Sequence, residues 1–180
     1  MISYRILPPN ETHKYGSFLK NRKPESLGIF FGYPIKPEQI DSLVAGIVDH
    51  PLKHRILVAE NTQFDIVGSV HVADMAPTEV EFGLMVHENM RQHGIASYLM
   101  GYALEWCRNR GYKKLFLQCL SHNSAIKKLV RKYKLPIESH GGECETNCYL
   151  PHADWNSYSG ELIKWHTNTI LTGLKQLIPS

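Results

Sequence analysis

Polar and apolar residues alternate in several short runs, and these runs predict strands. The first run covers residues 3–7, and three more follow in the middle of the chain. The links between the middle three runs are short, which predicts that these strands are antiparallel neighbours. They cover residues 55–61, 65–74 and 79–86. Gly83, inside the last of them, predicts a bulge or a close backbone approach.

Apolar residues recur at helical spacing in longer segments. The clearest stripe begins at Ile95 and continues for about three turns, and Gly111 is placed to cap the end of that helix. The other segments with this spacing are also predicted to be helices. They cover residues 11–21, 37–50, 123–133 and about 155–178.

The order of these elements predicts the fold class. Residues 114–120 form a continuous apolar run, which is typical of a strand buried on both faces. A helix joins this run to the strand at residues 79–86, so these two strands should be parallel. A hairpin is predicted around residues 140–142, whereas residues 24–37 are rich in proline, glycine and aromatic residues and predict an irregular loop. The predicted class is α/β in the α+β sense, with a mixed, mostly antiparallel sheet, one central parallel pair and flanking helices.

Composition narrows the class of protein without naming a function. The chain has 180 residues, of which 43% are hydrophobic and 21% charged, a balance typical of one folded soluble domain. A formal net charge of +3 is too small to predict nucleic acid binding. Neither a signal peptide nor an apolar run long enough to span a bilayer is found, and four cysteines do not make a disulfide scaffold. We therefore expect a cytoplasmic protein that binds neither nucleic acid nor a membrane.

The last predicted helix raises a question about domain organisation. We expect residues 1–152 to form the main domain and residues 153–180 a helical extension. The extension should pack on the same domain or on the partner of a homodimer, and Trp155, Tyr158 and Trp165 would suit either arrangement. Its predicted apolar face consists of Ile163, Ile170, Leu171, Leu174 and Leu177.

The segment MRQHGIASYLM, residues 90–100, joins a predicted strand to a helix through a glycine. The start of a helix offers unpaired amide groups and the positive end of the helix dipole, and both favour a bound phosphate. Arg91 adds a cation, Gly94 and Ala96 permit close approach, and Ser97 adds a hydroxyl. Taken alone, a glycine before a helix is more often an ordinary turn, so both interpretations stay open.

Three motifs between residues 81 and 129 decide between these interpretations. The pattern E-x-[AG]-x-x-V is matched by residues 81–86, Q/R-x-x-G-x-G/A by residues 91–96, and N-x-A-[MI]-x-x-L by residues 123–129. With these motifs, residues 79–135 resemble the core of the GNAT superfamily of acyl-CoA-dependent N-acetyltransferases. The layout looks most like the catalytic domain of bacterial protein-lysine acetyltransferases.

The resemblance implies a fold, a co-substrate and a cofactor site. The fold is the GNAT fold, with about six to seven strands and a central parallel pair splayed around the cofactor. The co-substrate is acetyl-CoA, whose pantetheine amides would pair with β backbone like an added strand. Asn123 would contact the pantetheine arm or the pyrophosphate, cap its own helix, or do both. The implied cofactor-binding residues are Leu84, Met85, Val86, Arg91, Gln92, His93, Gly94, Ile95, Ala96, Ser97, Asn123 and Ile126.

The resemblance also implies catalytic roles. An amine attacks the thioester directly in a ternary complex, and a general base on the strand before the glycine loop assists it. Glu81 is the candidate and Glu79 the substitute, although both could be ordinary strand residues in contact with solvent. The oxyanion donor would be a backbone amide near residues 85–86, just past a bulge. Val130 stands where many members have a proton-donating tyrosine, and Tyr133, nearly one turn on, either replaces it or only packs.

A possible metal site can be weighed in the last hairpin. His140, Cys144, Cys148 and His152 lie four residues apart, and cysteine and histidine are zinc ligands. Glycines before Cys144 and a proline before His152 oppose the helix that would align them. In a strand, the two cysteines would point to the core. We therefore predict no metal site.

The acceptor of the acetyl group is left open by the sequence. The first hypothesis is a protein lysine or amino terminus, and the second is a small amine such as a polyamine or an antibiotic. The third is a non-catalytic acyl-CoA-binding sensor, which Val130 permits and Glu81 opposes. In this fold the acceptor pocket is built largely by the first helices and their loop. Phe30, Phe31 and Tyr33 would line it or belong to the core.

Overall fold

A computed structural model describes residues 1–176, with His140 described by its backbone only. All seven strands form one sheet, in the order β1-β2-β3-β4-β5-β7-β6. The strands are β1 Ser3–Ile6, β2 His54–Glu60, β3 Ile66–Ala76, β4 Glu79–Val86, β5 Lys114–Leu120, β6 Glu138–His140 and β7 Glu143–Tyr149.

One pair of neighbouring strands differs from all others in the sheet. Strands β4 and β5 are parallel, whereas every other pairing is antiparallel. The parallel pairing covers only three positions, from Glu79 with Lys114 to Glu81 with Phe116. Beyond them, β4 continues beside β3 and β5 beside β7. The predicted mixed sheet with a single, splayed parallel pair is therefore confirmed.

Six helices flank the sheet within residues 1–176. Helices α1–α3 precede the central strands, α4 makes the crossover between β4 and β5, and α5 and α6 follow. Short 3-10 turns lie at Pro9–Glu11 and Glu88–Met90. The helices are α1 Thr12–Lys20, α2 Pro24–Phe31, α3 Pro37–Asp49, α4 Ile95–Asn109, α5 Ser124–Lys132 and α6 Trp155–Gln176.

The predicted irregular loop at residues 24–37 is wrong in its first half, which is helix α2. Pro24 occupies the first turn, where a missing amide proton costs no hydrogen bond, and Glu25 favours the positive end of the dipole. Gly32, with φ of 79°, ends the helix in the left-handed conformation. The proline and glycine therefore mark the two ends of a short helix.

Successive side chains of a strand point to opposite faces of the sheet, and each face carries a separate hydrophobic core. In β2, Leu57 and Ala59 pack into the core under α4, whereas Ile56 and Val58 pack into the core under α1–α3. Strand β5 alternates as well, with Leu115 buried and Gln118 exposed. The prediction that β5 is buried on both faces is wrong, because the face that carries Gln118 stays open.

Helix α6 does not pack its predicted apolar face on its own domain, which is one of the two arrangements expected from the sequence. Three members of the predicted apolar face, Ile163, Ile170 and Leu174, are exposed. Polar residues face the domain instead, and Ser157, Asn168 and Lys175 are buried. The helix lies against α4 and β1 of its own chain. Leu177 of the predicted face lies outside the described residues.

Candidate active site

A cavity of about 520 Å³ opens where β4 and β5 separate. Its walls come from the middle of β4, the end of β5, the end of α2 and the start of α5. Backbone groups of β4 beyond Glu81 pair with β3, but β5 gives them no partner in the described sheet. The cavity therefore lies beside an open stretch of strand edge, to which an extended chain with amide groups could bind.

Glu81 lies in the wall of this cavity. Its side chain is about half-buried, and this burial raises the pKa of the carboxyl group above its usual range. Glu79 does not belong to the cavity wall, and its carboxylate pairs with the Lys114 ammonium at 3.1 Å. Of the two candidate bases, the structure places only Glu81 at the cavity.

Two histidines that the sequence analysis did not single out lie in the same wall. His54 of β2 and His71 of β3 also line the cavity, and their ring nitrogens are 3.0 Å apart. Burial, with a smaller effect from His54, lowers the pKa of His71 to about 4, and burial also lowers the pKa of His54. A sequence signal for this pair would need the register of β2 on β3, which composition and periodicity do not give.

Three aromatic side chains form another part of the cavity wall. Phe30, Phe31 and Tyr33 line the cavity, and the Phe30 and Phe31 rings meet edge to face at a centroid distance of 4.7 Å. Gly83 makes room for this wall, because a Cβ atom there would lie 3.1 Å from Cζ of Phe30. The close approach at Gly83 is therefore made by a side chain.

The predicted bulge at Gly83 is wrong. From Val80 to Val86, β4 pairs with β3 without a shift in register, and the only irregularity of this pair lies between Asp74 and Ala76 of β3. The implied oxyanion amide near residues 85–86 thus cannot follow a bulge in β4. Separation from β5, not a bulge, frees the backbone of this strand.

The glycine loop has the backbone that the phosphate interpretation requires. Gln92 and Gly94 both adopt positive φ, 65° and 79°, and Gly94 is the N-cap of α4. Residues 91–94 are exposed, and the first amides of α4 have no carbonyl one turn earlier to bind. Such a concave row of N–H groups at a helix start suits an anion. Ile95 is buried and fixes the loop on the core.

The side chains of the loop are largely occupied by other contacts. The Arg91 guanidinium donates to Ser26 Oγ at 3.1 Å and to the Val86 carbonyl at 3.4 Å, so it ties the loop to α2 and β4. His93 is exposed, and its Nδ1 lies 2.8 Å from the Arg91 carbonyl oxygen. Recognition by this loop would therefore come mainly from its amides.

Asn123 and Ile126 line the cavity at the start of α5. The side-chain oxygen of Asn123 accepts a hydrogen bond from the Ile126 amide at 3.2 Å and caps the helix. Capping and a place in the cavity wall thus coexist. Of the three predicted strand residues, Leu84 lines the cavity, whereas Met85 and Val86 bury their side chains in the two cores.

Tyr133 is placed away from the cavity wall. Its hydroxyl donates to the backbone carbonyl of Ser97 on α4, and Lys132 donates to the Ser97 hydroxyl. A Cβ atom at Gly101 would lie 2.7 Å from the Tyr133 oxygen, so the ring fits closely against α4. This arrangement favours a packing role for Tyr133.

The fold and the loop match one family of enzymes. The model of the Acetyltransferase (GNAT) family matches residues 22–133, more than half of the chain. The chain belongs to the GNAT family. It is an acetyl-CoA-dependent N-acetyltransferase.

Solved structures show the same fold. The GNAT domain of S. lividans PAT is 19% identical, with a TM-score of 0.70, over 82% of this chain and 89% of that one. Spermidine N-acetyltransferase from Vibrio cholerae, in complex with CoA and spermine, is 17% identical, with a TM-score of 0.64, over 82% and 94%. An N-acetyltransferase from Staphylococcus aureus Mu50 is 16% identical, with a TM-score of 0.63, over 84% and 99%. No curated protein matches the chain.

Two further findings concern the described residues alone. No cluster of three or more histidine, cysteine or acidic side chains is arranged to hold a metal ion in residues 1–176. Cys144 is buried, in agreement with the core interpretation of its strand. Within the same residues, none of the helices has the length and apolar character needed to cross a membrane.

The backbone of Gly94 leads to a binding prediction. We expect Gly94→Asp to weaken acetyl-CoA binding at least about tenfold, or about 1.4 kcal/mol, because it brings a carboxylate to the amide-rich loop. Gly111→Asp is a matched control, since Gly111 also has φ of 79° and open space around its Cβ position. Both variants should lose about 1–2 kcal/mol of stability from backbone strain. Calorimetry with acetyl-CoA checks the difference, and equal affinities of the two variants would contradict the assignment.

The buried imidazole of His71 leads to a pH prediction. An unfolded histidine binds a proton below about pH 6.5, whereas folded His71 stays neutral down to about pH 4. Stability should therefore fall as the pH falls through this window, by up to about 3 kcal/mol. His71→Gln should lose less stability than the wild type between pH 7 and pH 4, while His13→Gln, at an exposed position, should follow the wild type. Urea unfolding at each pH measures this, and parallel curves for all three proteins would refute it.

Proposed function

We propose that the enzyme acetylates a single primary amine in the cavity between β4 and β5, with Glu81 as the general base. The observation that carries the proposal is the position of Glu81, a half-buried carboxylate with a raised pKa in the wall of the cavity. A base with a pKa moved towards neutrality is suited to proton transfer at physiological pH.

The residues present fit acetyl-CoA as the acetyl donor. The open edge of β4 at residues 82–86 offers backbone groups to an extended amide-bearing arm. The loop from Gln92 to Ser97 offers amides to phosphate groups, and Asn123 lines the cavity. When bound, acetyl-CoA supplies an acetyl group already activated as a thioester.

Glu81 would remove the proton that keeps the acceptor amine from attacking. A lysine-like ammonium has a pKa of about 10.4, so its free amine at pH 7 costs about 4.6 kcal/mol. Glu81 accepts the proton, directly or through a water, and the freed nitrogen attacks the carbonyl carbon. A C–N bond forms, the C–S bond breaks, and the electron pair of that bond leaves on sulfur. Because Tyr133 is placed away from the cavity, we assign it no part in protonating the thiolate.

The walls of the cavity favour an acceptor with one amine. Part of the wall is aromatic, and Glu81 and Glu143 are the only carboxylates among the described lining residues. A polyamine carries several ammonium groups, each of which needs a carboxylate or similar partner in a buried site. A lysine side chain or an amino terminus needs only one. We therefore prefer a protein lysine or amino terminus as the acceptor.

A small amine with an apolar body is the second candidate. The cavity volume of about 520 Å³ is within the range of small-molecule sites. Phe30 and Phe31 would contact such a body, whereas a peptide would place only one side chain between them. A sensor without catalysis is disfavoured by the carboxylate at the cavity.

Replacement of Glu81 tests the mechanism. We expect Glu81→Gln to lower kcat about 100-fold or more while acetyl-CoA binding is unchanged, because only proton transfer is lost. In the wild type, the rate should fall as the pH falls through the raised pKa of Glu81, since the protonated carboxyl cannot act as a base. Glu79→Gln is the control and should keep a rate close to that of the wild type. Thiol release measures both rates, and an undiminished rate for Glu81→Gln would overturn the assignment.

A panel of acceptors tests the choice of amine. We expect a lysine peptide or a peptide with a free amino terminus to be used with a higher kcat/KM than spermidine. An aromatic monoamine such as phenethylamine represents the second candidate. A preference for spermidine would contradict the single-amine proposal, and binding of acetyl-CoA without turnover of any acceptor would favour the sensor.

A further inference from the structure

Helix α6 turns all of its charged residues towards its own domain. Glu161 accepts hydrogen bonds from Asn109 and Arg110 at 2.6 and 2.8 Å. Lys164 forms an ion pair with Glu105 at 2.6 Å, and buried Lys175 donates to the Glu60 carbonyl at 2.7 Å. Asn168 adds a hydrogen bond to the Tyr98 hydroxyl at 3.2 Å. The helix is therefore attached to the domain by polar contacts, the reverse of an ordinary amphipathic helix.

The opposite side of the helix is apolar and open. We define the α6 outer face by its exposed large hydrophobic side chains, of which Trp155 is 84%, Ile163 65% and Ile170 61% exposed. Seven of the thirteen exposed large hydrophobic residues in the described chain lie on this one helix. The face consists of Trp155, Tyr158, Leu162, Ile163, Trp165, Ile170 and Leu174.

The area of the face is large enough for a stable interface. A helix of this length extends about 33 Å. An aromatic side chain buries about 150–250 Å², and three aromatic residues of the face are each more than half exposed. With the four aliphatic residues, the face approaches the roughly 800 Å² that each partner contributes to a standard interface. Isolated domains seldom leave so large an apolar patch uncovered.

Gly173 supplies an independent observation on the same side of α6. It is exposed in the last turns of the helix, where a glycine costs about 1 kcal/mol relative to alanine. A Cβ atom at this position would meet no atom of the chain within 4 Å. Packing within one chain therefore gives no reason for the glycine, whereas close approach of another backbone does.

The chemistry of the face favours a second copy of the chain as its partner. Two identical faces meet across a two-fold axis, and any charge on one would come near the same charge on the other. The acidic and basic residues of α6, Glu161, Lys164 and Lys175, all contact their own domain, so repulsion between these charges is absent. The outer side also carries the exposed imidazole of His166, whose ring contacts Trp165. A membrane surface would be met by a helix with lysine or arginine on its free side. Here the neighbouring Arg108 and Arg110 are already paired with Asp154 and Glu161.

We propose that the enzyme is a homodimer in which two copies associate through the α6 outer face. None of the seven residues of the face lines the cavity between β4 and β5. Association therefore leaves both cavities open, and acetyl transfer does not require it. The dimer explains why the apolar side of α6 faces away from its own domain.

Sedimentation velocity tests the proposal with the full chain. The wild type should sediment as a dimer, and the double variant Ile163→Lys/Ile170→Lys as a monomer, with a dissociation constant raised at least about a hundredfold. Val48→Lys is the matched control, because Val48 is an exposed aliphatic residue on a different helix, and this variant should stay dimeric. Circular dichroism confirms that each variant is folded. A monomeric wild type, or a folded double variant that is still dimeric, would overturn the proposal.

Two further measurements separate a dimer from other partners of the face. Trp155 and Trp165 are exposed whereas Trp106 is buried, so tryptophan emission of the wild type should shift to shorter wavelength as concentration rises. The shift should be absent in the double variant. In flotation with phosphatidylcholine vesicles, the protein should stay unbound. If a monomer is recovered with the vesicles, the partner of the face is a lipid surface and the dimer proposal is wrong. Turnover of the double variant should equal that of the wild type, and loss of activity would show that the face serves the active site.

Discussion

The separation of β4 from β5 is the constraint on which the rest of the structure depends. The two strands share three paired positions and then diverge, while each remains paired with its antiparallel neighbour on the other side. Divergence leaves backbone groups of β4 without strand partners, which is costly unless water or a ligand satisfies them. The same divergence opens the cavity and exposes Glu81 in its wall. A ligand that carries amides can restore the missing hydrogen bonds, so the incomplete sheet and the proposed binding site are one feature.

The two faces of the sheet support different parts of the candidate site. Ile95 follows Gly94 directly and is buried in the core under α4, so this core fixes the position of the glycine loop. The helices α1–α3 cover the other face and end in the aromatic wall around Phe30. Arg91 bridges the two, through Ser26 of α2 and the end of β4. Partial burial between these layers raises the pKa of Glu81 while leaving the carboxyl group accessible.

Features that depend on a few consecutive residues were predicted from the sequence, whereas features that depend on contacts between distant segments were not. The strand periods, the crossover helix and the loop at Gly94 were readable because each depends on a few consecutive residues. The helix at Pro24–Phe31 was missed because the same proline and glycine mark either a loop or the ends of a helix. The contact between His54 and His71 could not be predicted from the sequence, because it depends on the register of β2 on β3. For α6 the sequence left open whether its own domain or a second chain covers the apolar residues, because hydrophobicity alone does not distinguish the two.

A cradle made of backbone amides has a consequence for sequence divergence. Every residue type except proline supplies an amide, so the loop needs particular dihedral angles at Gln92 and Gly94 more than particular side chains around them. Substitutions at positions such as His93 would then change the affinity for the ligand little. The three solved structures differ from this chain at more than four residues in five and share its fold. A phosphate site made of backbone amides, as we propose for this loop, would tolerate such divergence. Specificity for the acceptor, which we propose depends on side chains of the cavity wall, would have no such protection.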